Sequence, residues 1–343
     1  MVKSLNFFIS AFMLISAVLL HGCDSGAEEV NIYSGRHYRS DEDLFRKFTD
    51  QTGIRVNLVK ADTDQLINRL KLEGANTRAD LLITADAGRM MAAMNEDLLQ
   101  PITSEKVFNL VPAYLRDPDA LWVGFTRRAR VIVYHRHRVD PEELTTYEDL
   151  TLPLWKDRVL VRSSQNHYNQ TLMASIIAAN GSEKAAEWAE GLVANMAQPP
   201  RGNDRDQVKS IAAGTGDIAI VNTYYMGLLL NSPNAEERAV AQQMGIFFPN
   251  QDDRGTHINI SGIGITAASQ NKKNAEKLIE FMLSYDSQLT LASETHEYPV
   301  NPEVPWPALL QEWGSFKEDT APLSQLGQHL KQAMLIFNRA GWE

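Results

Sequence analysis

The stretch "VNIYSGRHYRSDEDLFRKFTDQTGIRVNLV", residues 30–59, sets how the chain begins to fold. "VNIYS" (30–34) is a short β-branched and aromatic run that reads as a strand. "SDEDLFRKFTDQTG" (40–53) then places Leu44, Phe45 and Phe48 on one helical stripe, with Ser40 suited to the N-cap and Gly53 to the stop. "IRVNLV" returns as a second strand. Working outward, the spacing predicts a helix over 62–74, a strand at "ADLLIT" (79–84) and a helix over 86–97. Met90, Met91 and Met94 on that last helix read as core filler rather than ligands. A second series follows, with strands at "ARVIVYH" (129–135) and "DRVLVRSS" (157–164) and a helix from about Tyr168. Helices over 183–196 and 204–214 precede a strand at "GDIAIV" (216–221), and "MGIFFP" and "GIGIT" supply late strands. The segment after Lys273 reads as one long helix or two abutting ones, and the tail from Trp306 to Trp342 as mainly helical. Alternation of this kind implies α/β layers.

The N-terminus speaks to compartment. Lys3 precedes an apolar run over 6–20, too short for the ~20 residues of a spanning helix and suited to a secretory leader. It ends in "LHGC", which resembles the bacterial lipobox and makes Cys23 the expected lipidation site. Cys23 is also the only cysteine, so no intrachain disulfide or thiolate metal cluster can form. Asp24 resembles the signal that keeps lipoproteins on the outer face of the inner membrane. The expectation is a leader over 1–22, a tether over 23–28 and a periplasmic, lipid-anchored protein. Removing the leader loses Lys3 and no acid, which takes the formal charge from −10 to −11. An acidic, well-mixed chain argues against nucleic acid and against a polybasic membrane surface. At this length more than one core is expected.

Ligands of open α/β sheets bind beyond the carboxyl ends of strands. The residues there are "GRHY", "TAD", "SSQNHY" and "NTYY", and they carry Tyr38, Tyr168, Tyr224 and Tyr225. An adjacent tyrosine pair on its own is ordinary packing. Four of ten tyrosines at strand ends are not what packing predicts. A phenol titrates near ~10 and binds most ions poorly at neutral pH, but a hard, highly charged cation stabilises the phenolate. Several anionic oxygens, with the His37 imidazole as a nitrogen ligand or a supporting hydrogen bond, suit Fe(III) better than Ca(II) or Mg(II), and Zn(II) would call for His or Cys. Four phenolates around Fe(III) leave one negative charge, so neutralising arginines are expected. Arg128 and Arg130 stand at a strand start, and Arg36 lies beside His37.

With these residues in view, the chain resembles the bacterial periplasmic ferric iron-binding proteins, the substrate-binding components of iron(III) ABC transporters. It is similar to their tyrosine-rich, anion-independent type. "NIYSGRHY", "TYEDLTLPLWKDRV", "VNTYYMG", "SGIGIT" and "ASETHEYPVNP" carry the resemblance, which spans nearly the whole mature chain. It implies a metal site of His37, Tyr38, Tyr168, Tyr224 and Tyr225, with Arg128 and Arg130 behind it. The anion-dependent branch has a glutamate after the third strand, where this chain has Ala85 and Asp86. The implied fold is α/β, a two-lobed type II periplasmic-binding-protein fold with a hinge and an interlobe cleft. Lobe one would hold 29–129 with 255–304, and lobe two 130–254 with 305–343. The implied function is binding Fe(III) and delivering it to an inner-membrane ABC permease, as a monomer and without catalysis. The alternative is a two-lobed binder of another solute, an oxyanion or a small organic cation. Rival signals are weaker. "YHRHR" (134–138) reads as a solvated turn, and no nucleotide loop, zinc-protease or nucleophile-elbow pattern occurs.

Overall fold

The computed structural model describes residues 28–343. The leader, Cys23 and nearly all of the tether lie outside the described residues. The first third alternates as the periodicity predicts: β1 (Glu29–Ser34), α1 (Arg39–Thr52), β2 (Arg55–Lys60), α2 (Thr63–Glu73), β3 (Leu81–Thr84), α3 (Ala87–Asn95), β4 (Leu99–Gln100) and α4 (Glu105–Leu110). The middle holds β5 (Val123–His135), β6 (Val159–Leu160), α5 (His167–Asn180), α6 (Ser182–Ala194) and α7 (Asp204–Ala212). After these come β7 (Ile218–Asn222), α8 (Thr223–Leu230), α9 (Ala235–Gln242) and β8 (Met244–Phe247). The last part holds β9 (Ile258–Thr266), α10 (Lys272–Met282), α11 (Tyr285–Thr295), β10 (Tyr298–Pro299), α12 (Ala308–Glu312), α13 (Leu323–Leu326) and α14 (Leu330–Ala340). The segment after Lys273 is thus two abutting helices, α10 and α11, rather than one.

The sheet path runs β2-β1-β3-β9-β5-β7-β6. β1 pairs in parallel with β2 and β3, and β9 runs antiparallel between β3 and β5. β5 is the strand that joins two halves. Its first part, Val123 to Ala129, pairs with β9, and Arg130 to Tyr134 pairs with β7. This strand is longer than the sequence expectation of 129–135. Arg127, Arg128 and Arg130 make its first half look polar, yet each is paired within the fold. Arg128 and Arg130 therefore lie inside the strand rather than at its start, two residues apart and so on one face.

Helix α1 buries Leu44, Phe45 and Phe48, and ends at Gly53 in the left-handed conformation with its N–H on the Thr49 carbonyl. Its N-cap is Tyr38 rather than the expected Ser40. The reason is local: Arg36 is buried and bonds Asp41 in the first turn, which draws the chain into the helix two residues early. A second apolar cluster forms around Trp155, Trp188, Phe337 and Trp342, where α14 packs on α5 and α6. Before that, the segment 306–319 runs along the start of β5. Trp306 and Phe316 pack on Tyr298, and Glu318 pairs with Arg127 at 3.0 Å. At Gly255, with φ +95°, a Cβ would come within 2.6 Å of the Glu318 backbone, so only glycine lets the two strands of chain approach. Among the described residues no helix is long and apolar enough to cross a membrane.

Candidate metal centre

All four strand-end tyrosines stand at helix beginnings. Tyr38 caps α1, Tyr168 is the second residue of α5, and Tyr224 and Tyr225 open α8 directly after β7. The last pair was expected in a loop. Asn222 ends β7 and caps α8 with extended dihedrals, so strand passes into helix with no loop between.

The four rings converge. The Tyr168 and Tyr224 hydroxyls are 3.1 Å apart. The Tyr38 ring meets Tyr224 edge-on with centroids 6.5 Å apart, and Tyr224 and Tyr225 lie 4.2 Å apart. Tyr168 and Tyr224 are buried, whereas Tyr38 and Tyr225 are partly open to solvent. Burial pushes the phenols of Tyr38, Tyr168 and Tyr224 well up from their ordinary value. For Tyr38 the Glu297 carboxylate adds to that effect, and for Tyr224 the neighbouring phenols do. His37 is exposed beside Tyr38 and makes no hydrogen bond to any of the four.

Guanidinium groups surround the rings. Arg36 stacks over Tyr38 at 4.5 Å, and Arg128, Arg162 and Arg130 lie 5.3, 5.7 and 5.9 Å from the Tyr168 ring centroid. Arg36 donates to Asp41 at 2.9 Å and to Glu297 at 2.8 Å, and also reaches Thr126 and Ser261. Arg128 donates to the Ala85 carbonyl and lies 3.6 Å from Glu297. Asp204, with no exposed surface, pairs with Arg130 at 2.6 Å and Arg162 at 3.4 Å and accepts from the Asn222 N–H at 2.9 Å. Asp86 is instead held by Asn259 at 2.6 Å. Among the described residues, the carboxylates within ion-pair distance of the four arginines are thus Asp41, Glu297 and Asp204. One guanidinium charge is left over, the amount that four phenolates around a trivalent ion would call for.

Sequence reasoning named Arg36, Arg128 and Arg130 and missed Arg162, Asp204 and Glu297. Arg162 had a signal, since it precedes "SSQNHY"; the two carboxylates had none beyond the "EYPVNP" motif. The "YHRHR" pair is half as expected. His137 is exposed and His135 buried, their rings lie 5.9 Å apart, and no third metal-ligating side chain joins them among the described residues.

Comparison with known proteins gives a consistent picture. Residues 76–314 match the family of bacterial extracellular solute-binding proteins. The chain is 48% identical over 316 residues to iron uptake protein A1 of Synechocystis sp., covering 92% of this chain and 88% of that protein. A Trichodesmium protein (IdiA, FutA) solved in complex with iron and citrate is 46% identical with a TM-score of 0.89, covering 92% of this chain and all of that one. A ferric binding protein from Campylobacter jejuni is 43% identical with a TM-score of 0.87, over the same shares of the two chains.

Proposed function

Since the chain belongs to the bacterial extracellular solute-binding proteins and has their α/β two-lobed fold with an interlobe cleft, we propose that it binds Fe(III) as cargo through tyrosine phenolates for uptake. The observation that carries this reading is the convergence of four phenols from three separate parts of the chain, two of them with hydroxyls 3.1 Å apart, with arginines against the Tyr38 and Tyr168 rings. A packing role would bury the hydroxyls against apolar groups or give each its own partner. Here the Tyr168 and Tyr224 hydroxyls face each other with the Tyr38 and Tyr225 rings against Tyr224, which suits a shared hard cation.

In this reading Tyr38 comes from lobe one, and Tyr168, Tyr224 and Tyr225 come from lobe two. The lobes are 29–129 with 255–304, and 130–254 with 305–343. Bound iron favours the closed form by its greater affinity for it. His37 is a fifth donor or a hydrogen-bonding support. Arg128, Arg130, Arg36 and Arg162 offset the phenolate charge. The protein acts as a carrier rather than a catalyst. It works as a periplasmic monomer held by a lipid on Cys23 to the outer face of the inner membrane, and it hands iron to an ABC permease there.

The test is visible absorption of the soluble chain from Ala27, titrated with ferric citrate, beside the Tyr224→Phe/Tyr225→Phe double variant. The expected result is an orange-red charge-transfer band that saturates near one iron per chain and is lost in the variant. A colourless intact protein would refute the ferric reading and leave an oxyanion or a small organic cation as the solute to screen.

A further inference from the structure

Glu297 stands out among the charged groups of the site because it is built in without touching the converging hydroxyls. It follows α11, whose C-cap, His296, lies in the left-handed conformation and turns the chain inward. The side chain is 2% exposed. One carboxylate oxygen accepts from Arg36 at 2.8 Å and the other lies 3.6 Å from Arg128. Those two guanidiniums lie against different tyrosines: Arg36 over Tyr38 and Arg128 over Tyr168. A single buried carboxylate therefore sits between the guanidiniums that lie against Tyr38 and Tyr168, and it is close enough to bear on the Tyr38 phenol.

We propose that Glu297 makes this site discriminate ferric from ferrous ion, by adding one fixed negative charge behind the phenolates without itself ligating. The proposal rests on the ferric reading above. The physical argument is Coulombic. A fixed anion stabilises a trivalent ion more than a divalent one at the same position, and burial keeps water from screening the difference. Arg36 and Arg128 alone would oppose a cation of either charge, and the divalent one less. Glu297 offsets that bias and returns the advantage to Fe(III). On one-electron reduction the iron takes up one electron from an external donor, and the fixed charge of Glu297 makes that step less favourable.

The test is a reductive titration of the iron-loaded chain with dithionite and mediators, following the charge-transfer band, for the unaltered protein, Glu297→Gln and Glu297→Asp. Glutamine keeps an oxygen to accept from Arg36 and removes only the charge. Its expected effect is a shift of roughly tenfold in the Fe(III)/Fe(II) affinity ratio toward Fe(II). That equals a reduction potential about 59 mV more positive for one electron. Glu297→Asp keeps the charge, and its potential should coincide with that of the unaltered chain. Coincident potentials in all three proteins overturn the proposal while leaving the ferric reading intact. An equal shift in the aspartate variant also overturns it, by showing that shape and not charge is at work. Should the glutamine variant fail to fold, a displaced potential in Glu297→Asp alone is sufficient to refute the idea. If the unaltered chain develops no band, the ferric reading falls and the proposal with it.

Discussion

A buried phenol that is to become a phenolate has to shed its proton, so the proposed ligation predicts pH-dependent ferric binding. Burial raises the phenols of Tyr38, Tyr168 and Tyr224, so in the free protein they are neutral near pH 7. With the proposed phenolate ligation, binding releases their protons, and apparent affinity is expected to climb between pH 6 and pH 8. The climb should exceed tenfold per pH unit if more than one proton leaves per iron. Competition against citrate at both pH values, corrected for citrate protonation, measures it; a flat response would contradict phenolate ligation. His37→Ala should weaken binding less than Tyr224→Phe, since His37 is exposed and the tyrosine is not. His257 is fully buried among Arg130, Arg254 and Arg128, and burial first, then those charges, pushes its imidazole down to about 3. A depressed folded value means that its contribution is whole above the unfolded value of about 6.5 and is lost as pH falls toward 3. Below pH 6 His257→Asn should flatten the acid limb of the unfolding free energy, read from urea titrations across pH, by up to about 1.4 kcal/mol per pH unit. An unchanged slope would assign acid sensitivity elsewhere. Legibility at this scale divides by chemistry. The tyrosines could be read because phenols at strand ends are unusual. Glu297 and Asp204 could not, because an isolated acid reads as solvated surface until its partner is known. Glu297 meets Arg36 across 261 residues of chain.

At the scale of elements, α8 carries two of the four candidate tyrosines and is only eight residues long, so its seating matters. It is seated partly by Gly227, where an added Cβ would lie 2.5 Å from the His296 Cβ on the end of α11. Gly227→Ala should force α8 and α11 apart at a cost of about 1–3 kcal/mol. It should also weaken ferric binding while far-UV circular dichroism stays native. Retained affinity with lowered stability would show that the tyrosines do not depend on this contact. The N-terminal turn of α7 serves a different purpose, because its Asp204 holds two arginines and the last N–H of β7. Asp204→Ala leaves both guanidiniums uncompensated and should cost about 3–5 kcal/mol, read from urea unfolding. Most helices were legible from apolar spacing. β5 was only half legible, because "FTRRAR" has a polar look, and what makes it a strand is burial against β9 together with distant acids. β6 went the other way: "DRVLVRSS" suggested eight residues, of which two pair. Beyond them Arg162 turns from the sheet toward Asp204 and the site.

For the whole molecule, a cargo ion held as proposed, between parts of the chain distant in sequence, should report on its global stability. A ligand that binds only the folded state, present at a hundred times its dissociation constant, adds about 2.7 kcal/mol. Ferric citrate should therefore raise the melting temperature of the intact chain and leave that of the Tyr224→Phe/Tyr225→Phe variant where it was. An equal rise in both would point to iron bound elsewhere. The α/β class was plain from alternation, but the sheet order was not, since nothing local tells β9 to insert between β3 and β5. That insertion has a bearing on how the protein is made. β3 ends at Thr84 and β9 does not begin until Ile258. On a ribosome, or emerging vectorially from any channel, the first half of the sheet waits for more than half of the polypeptide before its central gap is closed. Through that interval β3 presents an unpaired edge, a risk for association with other nascent chains. The chain is thus obliged to fold late and as a whole, and a truncation just before β9 should yield no folded fragment of the first lobe.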